Sequence, residues 1–281
     1  MSALPSFIVL SSLLGLLSGL ERVPALRFAP TGRVRPFLVT DGGWYLVATG
    51  ASVVSTFVFR PTLSRLALPG VADATAGLPA PARLALALAV YDGVAFAVHV
   101  GIHRSPALWS VHKVHHSSLN LDAMATTRTH MFEHLVRNLP AQASLFVLGF
   151  PAETVALVLV IYATFALVGH SNLRIGSPWV ELAFVTPRLH RLHHLPESSQ
   201  QNLGTVFTVW DRLSGRLLTR DASPDERTGV PGELDAYPQR FAPAFAQPLR
   251  EARARSALVR PATWFDPTSD GPIAGEPRPR P

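Results

Sequence analysis

The sequence predicts an all-α fold: an integral membrane helical bundle of about three spans plus a broken helical hairpin, carrying a cytoplasmic histidine-rich helical cap. Three observations predict it. The chain of 281 residues is 48% hydrophobic and only 16% charged, with a positive mean hydropathy, too apolar for an ordinary soluble domain of that length. Its apolar residues gather in runs long enough, with their flanks, for helices that cross a bilayer, which need about 20 residues. All eleven histidines fall between His99 and His194, past the ends of those runs.

Met1 to Leu20 carries no charge and lacks the basic start and small-residue cleavage site of a signal peptide, so it reads as a first span. Phe37–Phe59, with Asp41 as its one charge, and Leu84–Val98, with Asp92, read as two more. Leu139–Val168 has Glu153 as its only charge, but Gly149-Phe150-Pro151 lies near its middle, where proline removes a backbone donor. One helix over that stretch would be about 45 Å long against a hydrocarbon thickness of about 30 Å, and two halves would reach about 22 Å each. A hairpin turning near Pro151 returns the chain to the side it left, as a site shared by the histidines before and after it requires. Arg22, Arg27, Arg33 and Arg35 fall on the histidine side and Arg60, Arg65 and Arg83 on the other, a small positive-inside bias that points the site to the cytoplasm. From Asp221 the sequence is polar and rich in Pro and Arg, and its end, DGPIAGEPRPRP, reads as disordered. Three regions result: membrane helices and loops over 1–83, a histidine-bearing domain over 84–220, and a partly disordered tail over 221–281.

The net charge of +6 comes from scattered arginines. Without basic blocks interleaved with aromatics it excludes nucleic acid as a partner and suits anionic lipid headgroups. The chain has no cysteine, so any metal must be held by His, Asp or Glu.

The histidines repeat their spacings. His99 and His103 stand at i, i+4; His112, His115 and His116 at i, i+3, i+4; His190, His193 and His194 repeat the triplet; His130 and His134 form another i, i+4 pair; His170 follows the hairpin. On a helix these spacings bring rings to one face, about 5–6 Å apart at Cβ, near enough to converge on a metal ion. One ion takes four or five ligands where zinc is the guide, so eight or more histidines point to two. Imidazole alone does not choose between iron, zinc, copper and nickel. His130-Met131-Phe132-Glu133-His134 matches the H-x-x-E-H pattern of a membrane zinc peptidase, but that reading leaves both triplets unexplained.

Two runs, Asp92 to His134 and His170 to Gly215, resemble the fatty acid hydroxylase superfamily of the sterol desaturase type. Asp92, His99 and His103 match its first box. Leu108, Trp109, His112, Lys113, Val114, His115, His116 and Ser117 match LWxxHKVHHS, and Arg128, His130 and Glu133 match R-x-H-x-x-E. His170, Ser171 and Asn172 match H-S-N. Thr186, Pro187, His190, Arg191, His193 and His194 match TPxxHRxHH, followed by Asn202 and Gly204 and by Trp210 to Gly215. The chain departs from the pattern at Phe96-Ala97, Val100, Ser214 and Arg216, none of them a ligand position.

The resemblance implies a centre of two iron ions, bound by these histidines, that uses O2 to attack an unactivated C–H bond of a lipid substrate by hydroxylation or desaturation. Asp92 and Glu133 are candidates to accept the second ring N–H of a ligand histidine and fix its tautomer; Asp211 more simply caps a turn. The sequence carries no heme, dinucleotide or iron–sulfur motif, so a separate electron donor (a ferredoxin, cytochrome or reductase) is needed. Lys113, Arg104, Arg188 and Arg191 could dock it or pair with lipid phosphates. Trp109 reads as an interface anchor. The alternative from another class is a metal-binding membrane protein without oxidative chemistry.

Overall fold

The computed structural model describes residues 3–30 and 37–258. Helix α1 is Ala3–Leu20 and α2 is Leu38–Val54, which continues through a π-helical turn, Ser55–Phe59, into α3, Arg60–Leu63. After α4 (Pro69–Ala76) come α5 (Ala80–Arg104), α6 (Pro106–His116), a 3₁₀ segment Ala123–Thr127, α7 (Met131–Val147), α8 (Ala152–His170), α9 (Pro187–His194), α10 (Val209–Leu213) and α11 (Phe241–Leu258). Among the described residues there is no strand, only isolated bridges joining Arg27 to Leu173 and Phe184 to Phe207.

Two helices, α5 and α8, are long and apolar enough to cross a membrane, while the apolar part of α1, Ser6–Leu20, is shorter. Helix α2, with 17 residues, is not among them, and its first turns hold Thr40, Asp41 and two glycines. Asp41 is fully buried and pairs with Nε of Arg128. Arg33 and Arg35 of the orientation argument lie outside the described residues.

The hairpin breaks where the sequence places it, but its arms are longer. Helix α7 starts at Met131 and runs through Pro140, which removes one backbone bond without ending it. Helix α8, capped by Pro151, has 19 residues, about 28 Å. Between them Gly149 adopts φ 70°, and a Cβ there would meet the Cα of Ala72 at 2.5 Å, so only glycine lets the turn seat on α4. Helices α5, α7 and α8 share one core, with Ala87, Tyr91 and Ala95 against Ala141, Leu145 and Phe146 and against Val155, Val158 and Tyr162. A fully buried side chain such as Leu145 contributes about 2 kcal/mol there.

The region after Asp221 is ordered as far as Leu258. Thr228 Oγ1 donates to the Ser118 carbonyl (2.8 Å), and Val230 and Tyr237 are buried beside Val114 and Trp44. Helix α11 lies along α6, where Lys113 Nζ reaches Glu233 (2.5 Å) and Glu251 (3.1 Å). The terminal DGPIAGEPRPRP lies outside the described residues.

Candidate metal centre

Four helices carry histidines in their last turns, and those C-terminal ends meet. Helix α5 delivers His99 and His103 from its last turns, α6 delivers His112, His115 and His116, α8 ends at His170, and α9 carries His190, His193 and His194. The two short helices are started by the same local device. Ser105 and Thr186 accept the backbone N–H of Leu108 and Leu189 (3.4 Å each), with Pro106 and Pro187 at the first helical position. Converging C-termini also aim partial negative charge at the centre, favouring cations by about 0.3–1 kcal/mol each.

The rings sort into two groups of four. His99, His103, His112 and His193 offer ligand atoms within 4.8 Å of one another, as do His115, His170, His190 and His194. His116 lies between, its ring centroid 4.7 Å from that of His193 and 4.5 Å from that of His194. None of the nine is more than 6% exposed. Burial, helped by neighbouring rings, holds His112, His115, His116, His190 and His194 well below the usual imidazole range, and burial takes His193 to about 4. These rings are therefore neutral and keep the lone pair that a metal needs.

The hydrogen bonds decide which nitrogen faces inward. Nδ1–H of His99 donates to the Leu203 carbonyl (2.8 Å), that of His115 to Arg128 (3.3 Å), that of His170 to Ala166 (2.7 Å) and that of His193 to Gln201 (3.0 Å). His112 Nδ1 and Glu133 Oε1 share a hydrogen bond of 2.7 Å; burial pushes the Glu133 carboxyl up to about 8 in the metal-free protein, and the positive charge of an ion on the ring would oppose that rise and favour the carboxylate. With their protons on Nδ1, His115 and His170 bring bare Nε2 lone pairs to 3.0 Å of each other. Lone pairs repel at that distance unless a cation lies between them. About 3.0 Å is also the separation of two imidazole nitrogens set at right angles on an ion about 2.1 Å away. Both ring nitrogens of His103, His116 and His194 are buried without a hydrogen-bond partner, a costly state in a folded protein that metal ligation would relieve at one nitrogen of each ring. The donor set fits two ions.

Other residues singled out in the sequence lie apart from this cluster. His130 is the N-cap of α7, with extended backbone (φ −66°, ψ 144°), so its spacing to His134 is not a helical one. Its Nε2–H donates to the Phe245 carbonyl (3.2 Å) and its ring packs on Phe245. His134 faces Ser52 and Asn138. The H-x-x-E-H residues therefore point three ways. Asp92 accepts N–H groups from Val206 (3.1 Å), Phe207 (3.0 Å) and Trp210 (2.9 Å), not from a histidine. Asp211 accepts those of Leu203 and Gly204. The two carboxylates fix the loop whose Leu203 carbonyl holds His99. Trp109, half-buried, packs against the site, its ring 4.8 Å from His103 and 5.1 Å from His116.

Three of the four cations considered for docking are engaged within the chain. Lys113 holds α11, Arg188 pairs with Glu181 and Asp221, and buried Arg191 donates to Leu121 O (3.0 Å) and Asn172 Oδ1 (2.8 Å). Arg104 is exposed. The backbone acceptors at Leu203, Gln201, Arg128 and Ala166 carry no side-chain signal in the sequence. Arg137, which the sequence reading passed over, lines a small cavity beside His99, His170 and His190; its i, i+4 spacing from Glu133 was the available sign.

Comparison with known proteins agrees with the geometry. Residues 84–216 match the fatty acid hydroxylase family. An ornithine lipid hydroxylase of Rhizobium tropici is 27% identical over 158 residues, 56% of this chain and 48% of that protein. A fatty acid hydroxylase of a Lecanicillium species is 29% identical over 159 residues, 50% of this chain and 44% of that one. The chain thus aligns with about half the length of these curated relatives. No solved structure matches it. The matched segment, 84–216, includes all nine clustered histidines, and it is this segment that carries the fatty acid hydroxylase domain.

Proposed function

We propose that this chain is a membrane-bound oxidoreductase that hydroxylates or desaturates a C–H bond of a lipid, with O2 and electrons from a separate donor, at a di-iron centre held by the two four-histidine groups. The observation that carries the proposal is the pairing of those groups, each a complete neutral imidazole set, side by side in one buried layer. Residues 84–220 form the catalytic unit and contain the two spanning helices, α5 and α8; α1 of the 1–83 region packs its apolar face on α8, and the centre faces the cytoplasm. His99, His103, His112 and His193 hold one ion and His115, His170, His190 and His194 the other, with His116 available to either.

Reduced iron supplies the activation of O2, chemistry that belongs to the metal and not to the side chains. The chain's own residues hold and orient. Carbonyl oxygens keep the proton of His99, His115, His170 and His193 on Nδ1, so that Nε2 faces the ion. Glu133 does the same for His112 through a shared proton. Trp109 and the buried layer around it exclude water. The balance for hydroxylation is R–H + O2 + 2 electrons + 2 protons giving R–OH + H2O; desaturation uses the same inputs and releases two waters.

The test supplies 18O2, a reduced ferredoxin and a lipid extract to the iron-loaded protein in nanodiscs and analyses the lipids by mass spectrometry. One 18O atom in a product lipid supports hydroxylation, and loss of two hydrogens without label supports desaturation. Bound metal without O2 consumption would instead support a non-oxidative metal-binding protein.

A further inference from the structure

We infer that Glu21, which lies outside the matched segment, is a positioning residue for the second histidine group, His115, His170, His190 and His194; the inference rests on the two-ion centre proposed above. Glu21 follows the last residue of α1 and is 5% exposed. Its Oε1 accepts the backbone N–H of Ala123 at 2.8 Å and that of Asn172 at 2.7 Å. One oxygen thus joins two stretches of chain that are far apart in sequence.

Both stretches lead to the second group. Ala123 opens the 3₁₀ segment that ends at Thr127, and the next carbonyl, that of Arg128, accepts the Nδ1–H of His115. Asn172 lies two residues after His170. Its Oδ1 accepts from Arg191 at 2.8 Å, and Arg191 also donates to the Leu121 carbonyl at 3.0 Å. Arg191 stands between His190 and His194 on α9, so these bonds fix how that helix is turned about its axis. The supports of the first group lie elsewhere, in Glu133 and in the carbonyl of Leu203. His193 shares α9 but is held separately through its own bond to the Gln201 carbonyl.

A carboxylate is costly to bury unless donors meet it, and backbone N–H bonds to a charged oxygen are about twice as strong as neutral ones. The Glu21 charge also opposes the penalty that burial places on the Arg191 guanidinium, which lies over the Phe28 ring at 4.8 Å. Main-chain bonds extend the tie: Phe28 N–H donates to the Asn172 carbonyl (2.8 Å), and Arg174 N–H donates to that of Leu26 (2.8 Å). Leu14 and Leu17 of α1 pack with Leu167 and Leu173 whatever stands at position 21. Removing the carboxylate therefore loosens the loops behind the second group while α1 stays seated.

The experiment titrates Co(II), a spectroscopic stand-in for Fe(II) at imidazole ligands, into the metal-free full chain in nanodiscs without O2 or reductant. Glu21→Ala and Glu21→Gln are each placed in a His112→Ala chain, where only the second group is complete, and in a His194→Ala chain, where only the first is. The expected result is a second-group affinity about 5–30-fold weaker in Glu21→Ala. Glu21→Gln, which keeps an acceptor oxygen without the charge, should lose less, and the first group should stay within about twofold in both. Equal weakening of the two groups overturns the inference and makes Glu21 a support of the fold alone. An unchanged second group in Glu21→Ala overturns it as well. If Glu21→Ala does not fold, Glu21→Gln decides by the same comparison, its selective loss supporting the inference and an equal or absent loss overturning it. Parent chains that take up no Co(II) overturn the two-ion reading and the inference together. Binding needs no turnover, so the result stands whether or not the centre oxidises a lipid.

Discussion

The two histidine groups differ in what stands behind them. In the first, His112 leans on a carboxylate, Glu133, and His99 on a carbonyl of a loop pinned by Asp92 and Asp211. In the second, the ring protons of His115 and His170 go to carbonyls of their own helical surroundings, Arg128 and Ala166. A carboxylate behind an imidazole makes it a stronger ligand than a carbonyl does. The lesson is that two sites with the same donor set are made unequal by a single acidic side chain. Of the two ions, the one in the first group would feel mutation of its support most.

The comparison can be broken most sharply by removing a ligand from one side. His112→Ala should lower bound iron from about two per chain to about one and abolish lipid oxidation, and His194→Ala should do the same from the other side; elemental analysis with a product assay reads both. Glu133→Gln should weaken metal binding at the first group by about 10–100-fold and leave the second within error, seen as one shifted and one unshifted step in a metal titration. Gly204→Ala acts through the loop. Its Cβ would meet Asp211 Oδ2 at 2.8 Å and the Phe207 carbonyl at 2.9 Å, displacing the Leu203 carbonyl from His99, and should cost about 1–3 kcal/mol by thermal unfolding. Ala at a second-group neighbour such as Gly169, whose nearest contact would be an ordinary 3.7 Å to His190, should cost less.

Acid gives the most general effect. A histidine whose folded value is about 4, as at His193, against about 6.5 unfolded takes up a proton on unfolding between those values. The unfolded state then binds more protons, so the stability of the metal-free protein should rise with pH from about 4 to 6.5 and flatten above. Denaturant melts across that range check the slope, and a flat profile would mean the rings are not buried neutral.

The histidine layer was legible because a repeated i, i+3, i+4 spacing has one physical use beside an apolar helix. The division of labour within it was not. Each triplet reads as one wall of one site, yet His112 and His193 join the first group while His115, His190 and His194 join the second, because neighbouring helix positions fan out by tens of degrees and each triplet sits at the seam. The pair His130 and His134 misled because helical spacing says nothing where the first residue is an N-cap with extended backbone. Asp92 and Asp211 were visible as acids, but their task of holding loop N–H groups depends on a contact more than 100 residues away for Asp92. The polar composition after Asp221 gave no sign that Glu233 and Glu251 would find Lys113 on α6.

The most direct test is the metal itself. The full chain, purified from iron-supplemented cells, should carry about two irons, with nitrogen-dominated first shells by X-ray absorption and a second iron visible as a near scatterer. One metal per chain, or oxygen-rich shells incompatible with the eight histidines, would contradict the account.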